Sequence, residues 1–164
     1  MTYLITDYFL SKYPGPFDIR SSRDGVDDTF EIVCLVTNQV LASTYYWDEE
    51  EARYIEAMGI ATALNFMLHE EMVLEEGSRA LKQLLTDAPG PYSLKRGTCE
   101  YRGGYWAVAC KHEKDGIIQC YGDFSDYANL AIAILIKKSL TYADRYLPRE
   151  REIPSCPESD LILF

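Results

Sequence analysis

The chain has 164 residues, of which 48% are hydrophobic, and a formal net charge of −10 at pH 7. This composition is typical of a soluble globular protein. The longest apolar run, from Leu130 to Ile136, is far shorter than the roughly 20 residues that span a bilayer, so we expect no membrane segment.

The charge is unevenly distributed along the chain. Residues 1–76 contain 15 acidic and 4 basic residues, whereas residues 77–164 contain 11 acidic and 12 basic residues. We therefore expect the two halves to prefer different partners. No signal peptide is visible, and the five cysteines are an odd number without Cys-x-x-Cys spacing. These features favour reduced thiols in an intracellular, cytoplasmic protein.

The first predicted element is a helix that ends at a Pro-Gly-Pro sequence. In YLITDYFLSKY, apolar residues recur at helical spacing at Leu4, Tyr8 and Phe9. Pro14 and Pro16 end this helix because proline lacks an N–H group and disfavours helix in the residue before it. A short strand is predicted to follow from Phe17 to Arg20.

A hairpin and a long helix are predicted to complete the first half. Alternating residues line one face of the second strand, namely Phe30, Ile32, Cys34 and Val36. A turn near TNQ returns the chain through VLASTYY. The helix is DEEEARYIEAMGIATALNFML, in which Asp48 and Glu51 are spaced as in a capping box.

The second half repeats this order. PGPYSLK at 89–95 nearly copies PGPFDIR at 14–20, and one extra loop residue changes the spacing between counterparts from 75 to 76. Before it, Gly77 and Ser78 resemble a helix stop followed by the N-cap of SRALKQLLTDA. After it come the alternating residues of a strand and the final helix, SDYANLAIAILIKKSL. The strand residues are Trp106, Val108, Cys110 and His112.

The two halves share five predicted elements in the same order. This favours a duplication over a chance similarity between two stretches of seven residues. The sequence therefore predicts an α+β fold of two αβββα units, each with a three-stranded antiparallel sheet backed by two helices. The predicted units are residues 1–76 and 77–147, and residues 148–164 form a C-terminal tail. That tail mixes charge and proline and ends in the apolar sequence LILF.

This unit resembles the double-stranded RNA-binding domain, and the first copy is the closer one. Phe17 lies where that family has an aromatic residue in its first strand, and Phe30 opens the second strand. Asp24-Gly25 lies where the family has the loop that enters the RNA minor groove, and Ala52-Arg53 lies where the family has Ala-Lys at the start of the last helix. The type III secretion chaperones, which are also small acidic proteins of mixed α/β structure, remain a rival family.

The RNA-binding residues of that family mostly fail to carry over. Members that bind RNA place lysines at the start of the last helix, where this chain has Asp48–Glu51 and Asp123–Asp126. Carboxylates suit the positive end of a helix dipole, but they repel phosphate. In the second copy Lys95, Arg96 and Arg102 flank the loop, and these are the possible RNA contacts.

Several apolar residues indicate a protein-binding surface. Val33 and Leu35 fall on the strand face opposite the predicted core, and the last helix is apolar all round. Such surfaces are covered either by the other copy or by a partner, which is another protein or a second copy of the chain. The candidate interaction residues are Val33, Leu35, Leu41, Tyr45, Trp47, Leu130 and Ile134.

Metal and catalytic sites find little support in the sequence. Cys99, Cys110, His112 and Cys120 match the ligand types of zinc, but their spacing matches no common zinc module. A Cys-His nucleophile pair lacks an identifiable orienting acid or oxyanion loop, and no phosphate-binding glycine loop appears. We therefore predict no catalytic residue, no cofactor and no metal.

The leading prediction is a non-catalytic adaptor or inhibitor that acts through protein–protein contacts. The resemblance suggests a partner involved in RNA processing. One alternative is weak double-stranded RNA binding through the second unit. Another is an acidic mimic of nucleic acid that blocks a basic groove, as immunity and anti-defence inhibitors do.

Overall fold

Six strands and three helices lie in the part of the chain that the structure describes. This computed structural model describes residues 11–23, 28–44, 50–69, 75–99, 103–111, 116–120 and 126–147. The strands are β1 (Phe17–Arg23), β2 (Asp28–Cys34), β3 (Gln39–Ser43), β4 (Ser93–Cys99), β5 (Gly103–Ala109) and β6 (Ile118–Cys120). The helices are α1 (Glu50–His69), α2 (Glu75–Asp87) and α3 (Asp126–Tyr146).

All six strands form one antiparallel sheet in the order β1-β2-β3-β6-β5-β4. The α+β class is therefore confirmed, as are three consecutive antiparallel strands in each half. The prediction of two separate three-stranded sheets is wrong, because β3 pairs with β6 through Ser43 and Gln119. Pairing these two strands joins the halves into a continuous sheet. It also gives hydrogen-bond partners to backbone N–H and C=O groups that would stay unpaired at the edges of separate sheets.

The second half of the sheet repeats the strand register of the first. Ile32 pairs with Ala42 between β2 and β3, and Val108 pairs with Ile118 between β5 and β6. Each member of the second pair lies 76 residues after its counterpart in the first. The junction pair Ser43 and Gln119 also differs by 76, so equivalent residues meet there. The sheet therefore has an approximate two-fold axis at this pair.

The long helices α1 and α3 form a layer on the sheet. α1 packs against β1 and β2, α3 packs across β3 to β6, and the two helices contact each other. Phe66 and Tyr142 make an edge-to-face ring contact at 5.4 Å, and they too are counterparts 76 residues apart. None of the helices in the described ranges is long and apolar enough to cross a membrane.

The core lies between this helix layer and the sheet. Ile32 and Val108 are fully buried at equivalent positions of the two halves. One broad face of α3 supplies buried residues, although Leu130 and Ile134 of its apolar run stay partly exposed. The buried residues are Ala128, Asn129, Ala131, Ile132, Ala133, Leu135, Ile136, Ser139, Leu140 and Ala143.

Each Pro-Gly-Pro sequence separates a buried residue from the strand that follows. Tyr13 and Ala88, which precede the two sequences, are 2% and 3% exposed. Both sequences contain a cis Gly–Pro peptide bond. The predicted helix stop is confirmed in the second half, where α2 ends at Asp87. In the first half residues 11 and 12 are helical, and the remainder of the predicted helix lies outside the described residues.

Helix α2 lies against α1, so it does not back the sheet of its own half. The predicted stop at Gly77 is also wrong, because α2 begins at Glu75 and continues through this glycine. A Cβ atom at Gly77 would lie 2.5 Å from the Thr62 hydroxyl oxygen, and one at Gly59 would lie 3.0 Å from Leu84. The two glycines therefore permit the close approach of the helices.

Candidate interaction surfaces

The turn between β2 and β3 presents two adjacent apolar side chains to solvent. Leu35 is 54% exposed and Val36 is 65% exposed. Pro16, whose carbonyl oxygen accepts a hydrogen bond from the Leu35 N–H at 2.9 Å, is exposed beside them. We call these three residues the apolar tip. Single exposed apolar residues are ordinary, but a contiguous group at a turn is a candidate contact surface.

Backbone hydrogen bonds hold the apolar tip in one conformation. The Asn38 N–H donates to the Cys34 carbonyl at 2.7 Å and closes the turn. Asn38 has a φ of 61°, a left-handed conformation that asparagine tolerates better than most residues. Arg20 reaches the Asn38 side-chain oxygen at 3.4 Å from the neighbouring strand. An ordered turn loses little conformational entropy when a partner binds.

The Cys34 thiol is buried beneath this turn. Burial by itself would raise its pKa, but hydrogen bonds lower the pKa below the ordinary value of 9.0. The donors are the Thr37 hydroxyl and the backbone N–H groups of Thr37, Gly15 and Val36. The thiol therefore lies between the first Pro-Gly-Pro sequence and the tip.

The equivalent position in the second half carries different chemistry. The counterparts of Pro16 and Leu35 are Pro91 and Lys111, which are both exposed. The counterpart of Val36 is His112, which lies outside the described residues. The same place in the repeat therefore presents an apolar side chain in one half and a cationic side chain in the other.

The possible RNA contact Arg96 is engaged with the start of α3. Its guanidinium group makes two parallel contacts of 3.1 Å with the two carboxylate oxygens of Asp126. The Trp106 indole N–H donates to the same carboxylate at 3.1 Å, and Arg96 lies 5.5 Å from the centre of the Trp106 ring. This carboxylate neutralises one of the three cations proposed to meet phosphate. Lys95 is exposed on β4, and Arg102 lies outside the described residues.

The predicted protein-contact residues have different environments. Val33 is 4% exposed and Leu41 is fully buried in the core. Leu35 was expected beside Val33 on one strand face, but β2 ends at Cys34, so Leu35 belongs to the turn. Leu130 and Ile134 are partly exposed on α3. Tyr45 and Trp47 lie outside the described residues.

Sequence reasoning missed Val36 as a surface residue. Its place in the alternation with Ile32 and Cys34 predicted an inward side chain. The signal against this was the adjacent Thr37-Asn38, because both residue types favour turns and asparagine tolerates the left-handed conformation. The alternation therefore extended one step beyond the end of the strand.

No group of three His, Cys, Asp or Glu side chains in the described ranges is placed to hold a metal ion. Cys34, Cys110 and Cys120 are free, buried thiols. His112, one of the four residues weighed as zinc ligands, lies outside the described residues.

In comparisons with known proteins, no family model, no curated protein and no solved structure matches this chain. The resemblance to the double-stranded RNA-binding domain therefore stays a prediction from the sequence.

Proposed function

We propose that this chain is a non-catalytic interaction protein, built from two copies of an αβββα unit, that binds a protein partner through the apolar tip. The observation that carries the proposal is the exposure of Leu35 and Val36 on a hydrogen-bonded turn. Transferring such side chains from water to a partner is worth roughly 1.5–3 kcal/mol each when burial is complete.

The contrast between the halves supports an adaptor role. The first half presents the apolar tip, whereas the second half presents Lys111 at the counterpart of Leu35. A partner that fits one end of the sheet therefore does not fit the other. An inhibitor that uses only the tip is the simpler version of the same proposal, and the two versions differ in whether the second end binds anything.

Duplex RNA binding through the second half receives less support. Its three cations were Lys95, Arg96 and Arg102, and Arg96 already pairs with Asp126. Most nucleic-acid affinity comes from cationic side chains that neutralise phosphates and release counterions. A carboxylate already paired with Arg96 competes with phosphate for that side chain. We therefore favour the protein partner.

The proposal is tested by affinity purification and mass spectrometry with the full chain carrying Leu35→Glu and Val36→Glu. Both side chains are exposed, so the double variant should keep its melting temperature and lose the partner. Lys111→Glu is the matched control, because it changes the counterpart position and should leave the partner bound. Equal recovery of the same proteins by the wild type and the double variant would overturn the proposal. Nuclease treatment separates RNA-dependent recovery from direct contact.

A further inference from the structure

Helix α3 carries an apolar surface that its neighbours in the described ranges leave partly exposed. Tyr127, Leu130 and Ile134 lie three and four residues apart, so they share one side of the helix. We call these residues the α3 stripe. Tyr127 is 48% exposed, and Leu130 and Ile134 are partly exposed, whereas the adjacent Ala131 and Leu135 are completely buried. One turn beyond Ile134 the same side continues to the exposed Lys138.

The first half contains the equivalent surface, and there a helix contacts two of its positions. The counterparts of Leu130 and Lys138 are Tyr54 and Thr62 on α1. The Tyr54 hydroxyl donates a hydrogen bond to the Glu76 carboxylate, and Thr62 lies against Gly77. Both contacts belong to α2, which packs along this side of α1.

The repeat identifies the counterpart of α2. Residues 2–12 precede the first Pro-Gly-Pro sequence as residues 77–87 precede the second. Leu84 and Ala80, which approach α1 at Gly59, have Phe9 and Ile5 as counterparts 75 residues earlier. The last two residues of this segment, Ser11 and Lys12, are helical.

The two segments also end in the same way. Ser11 and Lys12 lead to the buried Tyr13, just as the end of α2 leads to the buried Ala88. Residues 11–13 therefore lead into the first Pro-Gly-Pro sequence as the end of α2 leads into the second.

We propose that the α3 stripe is a helix-docking surface and that its occupant is the N-terminal segment of the same chain, residues 1–10. Phe9 supplies the apolar side chain that Leu84 supplies against α1, and Ile5 takes the position of Ala80, whose backbone lies against Gly59. Each half then contributes a helix to the other half, because α2 lies on α1 and the N-terminal segment lies on α3. An amphipathic helix of a partner binds this surface only by displacing residues 1–10.

Photo-cross-linking in the full chain tests this proposal. A benzoylphenylalanine residue replaces Ile134, and the products are mapped by mass spectrometry at two widely different chain concentrations. The expected product is a cross-link to residues 2–9 within one chain, at both concentrations. A cross-link between chains, a cross-link to another segment or no cross-link would overturn the proposal. The same probe at Lys111 is the control and should not capture residues 2–9.

A double-mutant cycle gives a second measurement without a bulky probe. Phe9→Ala and Leu130→Ala should each lower the melting temperature, and the double variant should lose less than the sum of the two losses. Phe9→Ala combined with Leu35→Ala is the matched control, and its losses should add. Additive losses for Phe9 and Leu130 would contradict the proposed contact. Leu35→Glu and Val36→Glu, which test the proposed function, should change neither the cross-link nor the coupling between Phe9 and Leu130. Each proposal can therefore be contradicted without the other.

Discussion

Ser43 and Gln119 occupy equivalent positions of the two halves, and they pair with each other at the centre of the sheet. The Gln119 side-chain amide also donates to the Thr44 carbonyl at 3.3 Å in a buried environment. Phe66 and Tyr142, another pair of counterparts, meet in the helix layer. Two counterpart pairs in two layers place one approximate two-fold axis through the molecule, as in a symmetric dimer joined into one chain.

Replacing Asn65 should destabilise the first half. Its side-chain amide accepts a hydrogen bond from the Phe17 N–H at 2.8 Å and donates to the Phe17 carbonyl at 2.9 Å. Asn65→Ala removes both bonds between α1 and the edge strand, at an expected cost of about 1–3 kcal/mol in the free energy of unfolding. Urea denaturation measures this cost.

The counterpart residue provides the control for Asn65. Thr141 is exposed, and the hydrogen bond described for its hydroxyl group is to the Lys137 carbonyl of its own helix, at 3.0 Å. Thr141→Ala should therefore change the free energy of unfolding by less than about 0.5 kcal/mol. Equal losses for the two variants would show that the bonds to Phe17 contribute nothing specific.

Gly77→Ala should destabilise the contact between α1 and α2 despite the better helix propensity of alanine. In an exposed helix, replacing glycine with alanine raises the free energy of unfolding by about 1 kcal/mol. Here the new Cβ atom would lie 2.5 Å from the Thr62 hydroxyl oxygen, and overpacking costs about 1–3 kcal/mol. In a Thr62→Ala background the clash is absent, so the same change should become neutral or stabilising. Denaturation of the four chains tests this reversal of sign.

Local patterns predicted the elements well because each depends on neighbouring residues. Helix α2 ends before Pro89, and the alternation of Ile32 and Cys34 marks one face of β2, as the sequence indicates. The joining of the two sheets was not predictable in this way. It depends on β3 pairing with β6 near Ser43, and the periodicity of apolar residues does not indicate which strand edges pair.

The candidate site was predicted only in part, for a related reason. Alternation assigned Val33 to one face, but it could not distinguish a covered residue from an exposed one. It also could not show that the strand ends at Cys34 and that Leu35 belongs to a turn. The pairing of Arg96 with Asp126 spans 30 residues and requires the start of α3 to meet the edge strand. Spacing along the chain carries no signal for such a contact.

Glutamate substitutions should separate two residues that the sequence grouped together. Val33 is 4% exposed, so Val33→Glu buries a charge and should cost more than about 2 kcal/mol. For a chain of this size, that cost lowers the melting temperature by roughly 4 °C or more. Leu35 is 54% exposed, so Leu35→Glu should leave the melting temperature almost unchanged. Thermal melts followed by circular dichroism give both values, and equal shifts would contradict the assigned environments.

Duplex RNA should bind weakly. At about 150 mM salt, an RNA of roughly 20 base pairs should show no submicromolar binding in an electrophoretic shift experiment. The reasons are the acidic helix starts in the sequence and the pairing of Arg96 with Asp126. Any weak binding should disappear when Lys95, Arg96 and Arg102 are changed to glutamate. Submicromolar binding by the wild type would contradict this view of the second half.

The two buried thiols Cys34 and Cys120 should affect stability with opposite pH dependence. Hydrogen bonds lower the pKa of Cys34 in the folded chain, so its contribution to stability rises with pH and is complete above the unfolded pKa near 9.0. Burial raises the pKa of Cys120 in the folded chain, so its contribution is present below the unfolded pKa and is lost as pH rises above it. The opposite signs follow from the donors around one thiol and the apolar surroundings of the other.

Urea denaturation of the wild type, Cys34→Ala and Cys120→Ala at about pH 7 and about pH 9.5 tests this pair of signs. The penalty of Cys34→Ala should grow between the two pH values, because the wild type gains a stabilised thiolate that the variant lacks. The penalty of Cys120→Ala should shrink, because only the unfolded wild type ionises this thiol. Lost packing does not depend on pH, and the other titrating groups cancel in each difference from the wild type. A Cys34 penalty that stays constant or falls would show that the turn does not stabilise the thiolate.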